Sequence, residues 1–374
     1  MERELPDCLI TAASIQGSRP DYEDRIDIRG RLVSNHPFIY CAVYDGHGGG
    51  EAADMAQKLM LHYLKKDEDF LSKDETLMIQ SLKRGFLLMD KKMKESSSNW
   101  SKEDKKDIWP SAGTTASIVV IYGNLAFIAN VGDSPVYLIT KADVNSYEIE
   151  LGCTLHTPEF KPDYQRVRAF GGEIAEDSSH SLCVKPIIQE NNSARILRMT
   201  RALGDFWIKN PNNYGKIVNP EPDVRVVNLE KENIAFIIIA SDGLFMNSES
   251  IATCVLRSIG HNMNPAQYLI SKMCSSIPDT RFDNTSVICM EFPEVTRGKL
   301  TNFKLSELDC GRKSSIDDDK VYSFNELFCH DPNAGIIFTN GKVMYAETKK
   351  IIIPKSETMV PDEKHHKPGY VIPV

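Results

Sequence analysis

Four aspartates stand at the borders of apolar segments of the sequence: Asp45, Asp133, Asp242 and Asp283. The first three each follow such a segment, and Asp283 directly precedes one. An apolar run that ends in Asp-Gly is typical of a buried strand that enters a tight turn. If these strands are neighbours, the sequence predicts that four carboxylates meet at one sheet edge.

Carboxylates gathered in a partly buried place repel one another unless a positive charge neutralises them. A ligand set made only of oxygen, without histidine or cysteine, favours hard cations such as Mg²⁺ or Mn²⁺. The alternative is that these aspartates are turn residues whose side chains accept hydrogen bonds from their own backbone. Their spacing alone leaves both interpretations open.

The elements that would position the carboxylates follow from the periodicity of the apolar residues. Apolar residues at helical spacing predict a helix over 50–65 and a second helix that carries Ile79 to Met93. Two further helices are predicted near 249–259 and 265–276. Strands are predicted over 38–44, 116–121, 125–129, 136–139, 234–240 and 286–290. The three consecutive strands between 116 and 139 have short connections, so we expect them to be antiparallel neighbours.

The order of these elements predicts an α+β fold in which two packed antiparallel β-sheets are flanked by helices, an αββα sandwich. Residues 95–110 are expected to form a loop. The segment 150–200 is polar and rich in turn residues, and its part from about 155 to 200 is interpreted as a flap subdomain. We expect a domain over 8–292 and a C-terminal extension over 293–374, with a hairpin near 335–346 and a flexible end.

Composition restricts the classes of function. The chain has 374 residues, 41% of them hydrophobic and 26% charged, which is typical of a globular protein with a large core. A net charge of −8 argues against a nucleic-acid surface. No apolar run reaches the roughly 20 residues that span a bilayer, so no membrane partner is expected. The nine cysteines are scattered and favour a reducing compartment, either cytoplasm or nucleus.

Seven segments, taken in order, resemble the motifs of the protein phosphatase 2C family, the metal-dependent protein phosphatases. They are residues 16–25, 44–49, 111–116, 130–134, 201–205, 240–245 and 283–286. Each motif alone is unspecific, but the ordered set is specific and covers roughly residues 8–291. Residues 201–207 and 219–223 are most similar to the delta-type members of the family.

The resemblance implies a serine/threonine phosphatase that hydrolyses phosphoserine and phosphothreonine with a water activated by two Mg²⁺ or Mn²⁺ ions, without a covalent phosphoenzyme. Phosphoproteins are then the expected substrates. Five residues are implied as metal ligands, with the aspartate at 45 bridging both ions and the glycine contributing its carbonyl: Glu23, Asp45, Gly46, Asp242 and Asp283.

Other residues would act around the ions. Arg19 offers a charged fork for phosphate oxygens, and His47 is expected to protonate the leaving alkoxide. Glu23 and Asp24 are adjacent, so on a strand they would face opposite ways, and Asp24 is interpreted as a supporting residue behind the ligands. Asp205, in the turn after 201–204, is expected to be architectural.

The chain departs from the family pattern at three places. Met246 stands where family members commonly carry a polar or acidic residue that acts with the equivalent of Asp133 on a third, weaker metal ion, so a third ion would bind poorly. Pro135 replaces a common arginine, and the flap begins at 155–162 without the usual family sequence.

Two alternatives stay open beside the active phosphatase. The chain could be a pseudophosphatase, a scaffold that binds a partner protein through the fold and the C-terminal tail. The tail could also dock a partner of an active enzyme, for which the hairpin and the apolar residues Phe324, Leu327 and Phe328 are the candidates.

Overall fold

The computed structural model describes residues 5–31, 36–100, 111–144, 146–177, 180–185, 196–209, 215–261, 263–276 and 282–296, and the backbone of four strands between 322 and 373. The predicted cluster of Phe324, Leu327 and Phe328 lies outside the described residues, as do most of the loop over 95–110 and the expected flexible end. No helix in the described part of the chain is long and apolar enough to cross a membrane.

The helices are, in chain order, α1 (Glu51–Leu64), α2 (Glu75–Ser96), α3 (Lys161–Ala169), α4 (Ser248–Gly260), α5 (Pro265–Ser276) and α6 (Pro293–Thr296), with a short 3₁₀ turn at Ser97–Asn99. The strands are β1 (Cys8–Ile15), β2 (Arg25–Arg31), β3 (Phe38–Tyr44), β4 (Gly46–His47), β5 (Gly113–Thr114), β6 (Ala116–Tyr122), β7 (Leu125–Val131), β8 (Val136–Asp143), β9 (Ser146–Leu151), β10 (Glu173–Glu176), β11 (Leu182–Lys185), β12 (Leu203–Gly204), β13 (Asp223–Asn228), β14 (Ile234–Ala240), β15 (Thr285–Glu291), β16 (Tyr322–Ser323), β17 (Ala334–Thr339), β18 (Lys342–Glu347) and β19 (Tyr370–Pro373).

Two large antiparallel sheets form the centre of the fold. The eight-stranded sheet has the order β18-β17-β1-β15-β14-β8-β9-β19, and the six-stranded sheet has the order β13-β7-β6-β3-β2-β16. A small three-stranded sheet, β12-β5-β4, and the hairpin β10-β11 lie outside them. The prediction of an αββα sandwich is confirmed.

The alternation of side chains along each strand builds the layers. In β3, Ile39, Cys41 and Val43 join the apolar cluster between the two sheets. The intervening Tyr40 and Ala42 pack instead with α1 and α2 on the outer face of the six-stranded sheet. Because both faces are covered, all seven residues of β3 are buried. This explains why the strand reads as a continuous apolar run rather than as an alternating one.

The eight-stranded sheet is built in the same way. Ile237 and Ile239 of β14 face the other sheet, whereas Phe236 and Ile238 pack with α4 and α5. Burial of large aliphatic and aromatic side chains in three such layers supplies the main driving force for folding. The predicted helices over 50–65, 249–259 and 265–276 are confirmed as α1, α4 and α5, and the helix that carries Ile79 to Met93 is α2.

Two expectations about the connections are wrong. The strand over 136–139 does not pair with the preceding strand: β8 lies in the other sheet, next to β14. The link between β7 and β8 crosses the sandwich. Within it Gly132 has φ +105°, a conformation that favours glycine, and Nδ2 of Asn130 donates to the carbonyl oxygen of Gly132 at 3.1 Å. The segment 150–200 is also more regular than expected, since it contains α3 and the hairpin β10-β11.

Candidate metal centre

The four predicted carboxylates come from both large sheets. Asp45 directly follows β3 of the six-stranded sheet, and Asp242 lies two residues beyond the end of β14 of the eight-stranded sheet. Asp133 lies in the link that crosses between the sheets, and Asp283 lies just before β15. The expectation of a single sheet edge is therefore wrong, because the ends of two stacked sheets contribute to one acidic region.

Direct contacts join the two aspartates that end β3 and β14. The backbone N–H of Asp242 donates to Oδ2 of Asp45 at 3.3 Å. Desolvation raises the pKa of the half-buried Asp45 well above its ordinary value, and the nearby charges of Asp24, Asp242 and Asp133 raise it further. The backbone of Asp45 is fixed by Thr115, whose Oγ1 accepts from the Asp45 N–H at 3.1 Å.

Asp24 lies behind this pair and is fully buried. Its Oδ2 accepts a hydrogen bond from Oγ of Ser241 at 2.8 Å, while its Oδ1 is buried without a hydrogen-bond partner among the described residues. Desolvation, together with the charges of Asp242 and Asp283, raises the pKa of Asp24 to about 7. Asp24 thus contacts Ser241, the residue next to Asp242, and its pKa responds to the charges of Asp242 and Asp283.

Glu23 is only partly buried, and Glu23 and Asp24 both lie before β2, so the alternation of a strand does not decide their directions. Oε1 of Glu23 accepts from the N–H of Gly49 at 2.6 Å. Gly46 packs so closely that a Cβ there would lie 2.5 Å from the carbonyl oxygen of Glu23. Only glycine at position 46 therefore allows the turn after Asp45 to approach Glu23.

Arg19 forms an ion pair with Asp283, with Nη2 and Oδ2 2.6 Å apart. The Arg19 side chain is 60% exposed, so its guanidinium also faces solvent. Asn284, which the sequence analysis did not identify as part of the site, joins the segment that follows Gln16 to the segment of Asp283. Its Nδ2 donates to the carbonyl oxygens of Gln16 and Asp21, and its Oδ1 accepts from the Glu23 N–H.

His47 is paired with Asp205. Nε2 of His47 lies 2.9 Å and 3.0 Å from the two carboxylate oxygens of Asp205, whose side chain is fully buried. Burial lowers the pKa of His47, but the Asp205 carboxylate outweighs that effect and the net shift is upward. Asp205, expected from the sequence to be architectural, thus contacts a residue 158 positions away in the chain.

Asp133 completes the acidic region. Its Oδ1 is buried and has no hydrogen-bond partner among the described residues. Desolvation and the charge of Asp242 raise the pKa of Asp133 to about 7. Met246 packs against the apolar cluster of α4 and α5, so that position offers no polar ligand beside Asp133.

The donor chemistry of this region fits a hard divalent cation. Within the described residues, no group of three or more acidic, histidine or cysteine side chains already has the arrangement of a metal site. The region nevertheless offers carboxylate oxygens, a buried oxygen of Asp133 without a partner, and acidic groups that raise one another's pKa. Such uncompensated carboxylates are the oxygen ligands that Mg²⁺ and Mn²⁺ prefer.

Comparison with protein families gives one match that covers most of the sandwich. The sequence profile described as Protein phosphatase 2C matches residues 10–276. The bovine protein named Protein phosphatase 1L is 31% identical over 251 residues, which cover 65% of this chain. The mouse protein named Protein phosphatase 1A is 27% identical over 322 residues, which cover 82% of this chain and 76% of the mouse protein. The match spans less than two thirds of the bovine relative, 62% of its length.

Solved structures share the fold. The structure described as serine-threonine phosphatase 2C from Toxoplasma gondii has a TM-score of 0.66 at 18% identity and covers 78% of this chain and 98% of its own. A structure described as a C. elegans sex determining protein has a TM-score of 0.58 at 23% identity, covering 76% of this chain and 64% of its own.

Proposed function

Because this chain belongs to the protein phosphatase 2C family, we propose that it is a metal-dependent phosphatase that hydrolyses phosphoserine and phosphothreonine in protein substrates. The observation that carries the proposal is the acidic region around Asp45 and Asp242, together with the ion pair of Arg19 with Asp283 and the His47–Asp205 pair. This hydrolysis requires a positively charged side chain that binds phosphate, acidic ligands for the metal ions, and a proton donor.

Five residues are proposed to hold two Mg²⁺ or Mn²⁺ ions: Glu23, Asp45, Gly46 through its carbonyl, Asp242 and Asp283. The ions would supply a water of lowered pKa and would neutralise charge on the phosphoryl oxygens. Asp24 is proposed to support the ligands from behind through its contact with Ser241. A third ion at Asp133 would bind weakly, because Met246 contributes no oxygen ligand.

The chain's own residues bind the phosphate and move the proton. Arg19 holds a phosphoryl oxygen with its exposed guanidinium. A water oxygen forms the new bond to phosphorus while the bond to the serine or threonine oxygen breaks. That leaving oxygen takes a proton from His47, and the proton that the attacking water loses returns through solvent to His47. The products are inorganic phosphate and the free hydroxyl side chain, and no covalent phosphoenzyme is formed.

The test is the turnover of a phosphothreonine peptide as Mn²⁺ and Mg²⁺ are titrated, with the native chain and Asp242→Asn compared. We expect phosphate release that requires the metal and that is lost in Asp242→Asn. Asp143→Asn, at an exposed position at the end of β8, is the matched control and should retain turnover. No turnover by the folded native chain at saturating metal would overturn the proposal and favour the pseudophosphatase scaffold.

We also propose a compartment for the chain and a role for its C-terminal extension. The seven described cysteines are all free thiols, which is compatible with a cytoplasmic or nuclear protein. A docking role for the C-terminal extension is proposed from the strands that it adds to both large sheets. Binding of a candidate partner to the full chain and to a chain ending at 296 would test it, and equal binding would contradict it.

A further inference from the structure

Three features hold the His47–Asp205 pair: the small sheet β4-β5-β12, the backbone hydrogen bonds of the turn at Asp205, and a buried ion pair. β5 lies between β4 and β12, so that His47 faces Gly113 on one side and Gly204 faces Gly113 on the other. A Cβ at Gly113 would lie 2.2 Å from Oδ2 of Asp205 and 2.4 Å from Nε2 of His47. The glycine in the middle strand therefore leaves the space in which the pair meets.

The turn that carries Asp205 is fixed independently of its carboxylate. The backbone N–H of Asp205 donates to the carbonyl oxygen of Ala112 at 3.0 Å, and the Lys209 N–H donates to the Asp205 carbonyl oxygen at 3.1 Å. Asp205 itself has φ 54°, a conformation that aspartate and asparagine tolerate better than most residues. These backbone hydrogen bonds close the turn, and the carboxylate is left to contact His47 and Trp207.

A buried ion pair anchors the same turn to α2. Nζ of Lys209 lies 2.7 Å from Oδ1 of Asp90, and both side chains are fully buried. The same oxygen of Asp90 accepts from the N–H of Gly204 at 2.8 Å. Since removal of one partner of such a pair is strongly destabilising, the position of Asp205 is set by a rigid support.

The two ring nitrogens of His47 have different surroundings. Nε2 is engaged by both oxygens of Asp205, one of which also accepts from Nε1 of Trp207 at 3.2 Å. Nδ1 is buried and has no hydrogen-bond partner among the described residues. Nδ1 is therefore the ring nitrogen that no described protein group engages.

We propose that Asp205 is a positioning residue of the proposed phosphatase reaction, which fixes the ring of His47 through Nε2–H so that Nδ1–H delivers the proton to the leaving serine or threonine oxygen. The P–O bond breaks with its electron pair on that oxygen, which takes the Nδ1 proton, and His47 remains neutral with its Nε2–H donated to Asp205. This inference rests on the proposed function.

The test compares two substrates that differ in their need for a proton donor. Asp205→Asn keeps the size and the tolerated backbone conformation but removes the charge. For a phosphothreonine peptide at saturating Mn²⁺ we expect kcat to fall about 10–100-fold, as for lost supporting partners in other sites, with KM unchanged. For p-nitrophenyl phosphate the fall should be much smaller, because nitrophenolate leaves without a proton.

A double-mutant cycle separates positioning from architecture. In a His47→Asn background, Asp205→Asn should cause no further loss of phosphothreonine turnover, because both changes remove the same function. The matched control is Asp223→Asn, which breaks the His156–Asp223 pair, 3.2 Å between Nε2 and Oδ2, away from the metal region. That control should affect both substrates in the same proportion.

Equal losses on both substrates for Asp205→Asn, or additive losses in the double variant, would overturn the proposal. If Asp205→Asn does not fold, ¹⁵N NMR of histidine-labelled native protein decides, since we expect the proton on Nε2 of His47. A proton on Nδ1 with a bare Nε2 in the neutral ring would contradict the proposed orientation. Absence of turnover of both substrates by the native chain would overturn the proposed function, and with it this role.

Discussion

The acidic side chains around Asp45 lie close enough to make one another harder to ionise. Asp24 and Asp133 are both buried enough that desolvation and neighbouring carboxylates raise the pKa of each to about 7. A divalent cation would remove this mutual repulsion. At the scale of single residues, bound metal is therefore expected to stabilise the folded chain as well as to activate it.

The first prediction concerns metal binding without turnover. Saturating Mn²⁺ should raise the melting temperature of the native chain, because a ligand at one hundred times its dissociation constant adds about 2.7 kcal/mol to the stability of the state that binds it. In Asp45→Asn the increase should be small, since the amide keeps the size but not the charge. Differential scanning calorimetry measures both, with Asp143→Asn as control. Equal increases would exclude Asp45 as a ligand.

Residues that carry a signal in their local sequence were easier to assign to the site than residues whose role appears only in their contacts in space. Asp45, Asp242 and Asp283 were found because each borders an apolar strand, a local signal. Asp205 and Asn284 were not assigned a part in the site, because their contacts join segments about 158 and 268 residues apart. Nothing in the local sequence of either residue reports such a partner.

The small sheet β4-β5-β12 is the element that brings His47 to Asp205. Each of its strands is only two residues long, so it adds little burial of its own and depends on close backbone packing. At Gly113, in its middle strand, an added Cβ would collide with the side chains of Asp205 and His47. The strand pattern gave no indication of this sheet, because two-residue strands have no measurable periodicity.

Gly113→Ala should therefore separate the His47–Asp205 pair. We expect a loss of stability of about 1–3 kcal/mol from overpacking, together with a fall in phosphothreonine turnover. Urea unfolding and steady-state kinetics measure the two effects. Gly260→Ala is the control, because a Cβ there would meet nothing within 4 Å. Unchanged turnover in Gly113→Ala would show that the site does not need this spacing.

The contact between His156 and Asp223 is sensitive to pH. Desolvation lowers the pKa of the buried His156 below its ordinary value of 6.5, outweighing the opposing effect of Asp223. The unfolded chain therefore binds a proton at His156 more readily than the folded chain. Its contribution to stability is present above pH 6.5 and is lost as the pH falls below that value. The pKa of Asp223 is held low by His156 and Arg201, so its contribution is lost only at lower pH.

His156→Gln should remove this dependence. The stability advantage of the native chain over His156→Gln is expected to be largest near pH 7.5 and to shrink toward pH 5.5, since the unfolded histidine titrates near pH 6.5. Urea midpoints at several pH values measure the difference, and replacement of the exposed His180 provides the control. An advantage that grows on acidification would contradict the sign of the shift.

At the scale of the whole molecule, the fold extends beyond the segment that matches the family profile. That match ends at residue 276, yet β15 (Thr285–Glu291) lies between β1 and β14 in the eight-stranded sheet. The C-terminal strands then cover sheet edges: β17 pairs with β1, β19 with β9 and β16 with β2. These edges would otherwise offer unpaired backbone groups to another chain.

Truncation should distinguish the contribution of β15 to folding from the contribution of the C-terminal strands to protection of the sheet edges. A chain that ends at residue 276 is expected not to fold, because it lacks a central strand. A chain that ends at residue 296 should fold but self-associate as its concentration rises, since three strands lose their edge partners. Circular dichroism and sedimentation velocity, with the full chain as reference, measure the outcomes. A monomeric chain ending at 296 would show that the tail strands do not protect the edges.

If Asp283 binds a cation and Arg19 binds a phosphate, as proposed, the ion pair between them couples the two binding events. The cation would compete with Arg19 for the carboxylate, and the phosphate would compete with Asp283 for the guanidinium. Each ligand thus frees the group that the other requires, and linked equilibria demand that the enhancement be equal in both directions. Product inhibition by inorganic phosphate should therefore become stronger as Mn²⁺ rises, and this dependence should weaken in Arg19→Ala. The enzyme would then be restrained by its own product most strongly when it is most fully loaded with metal.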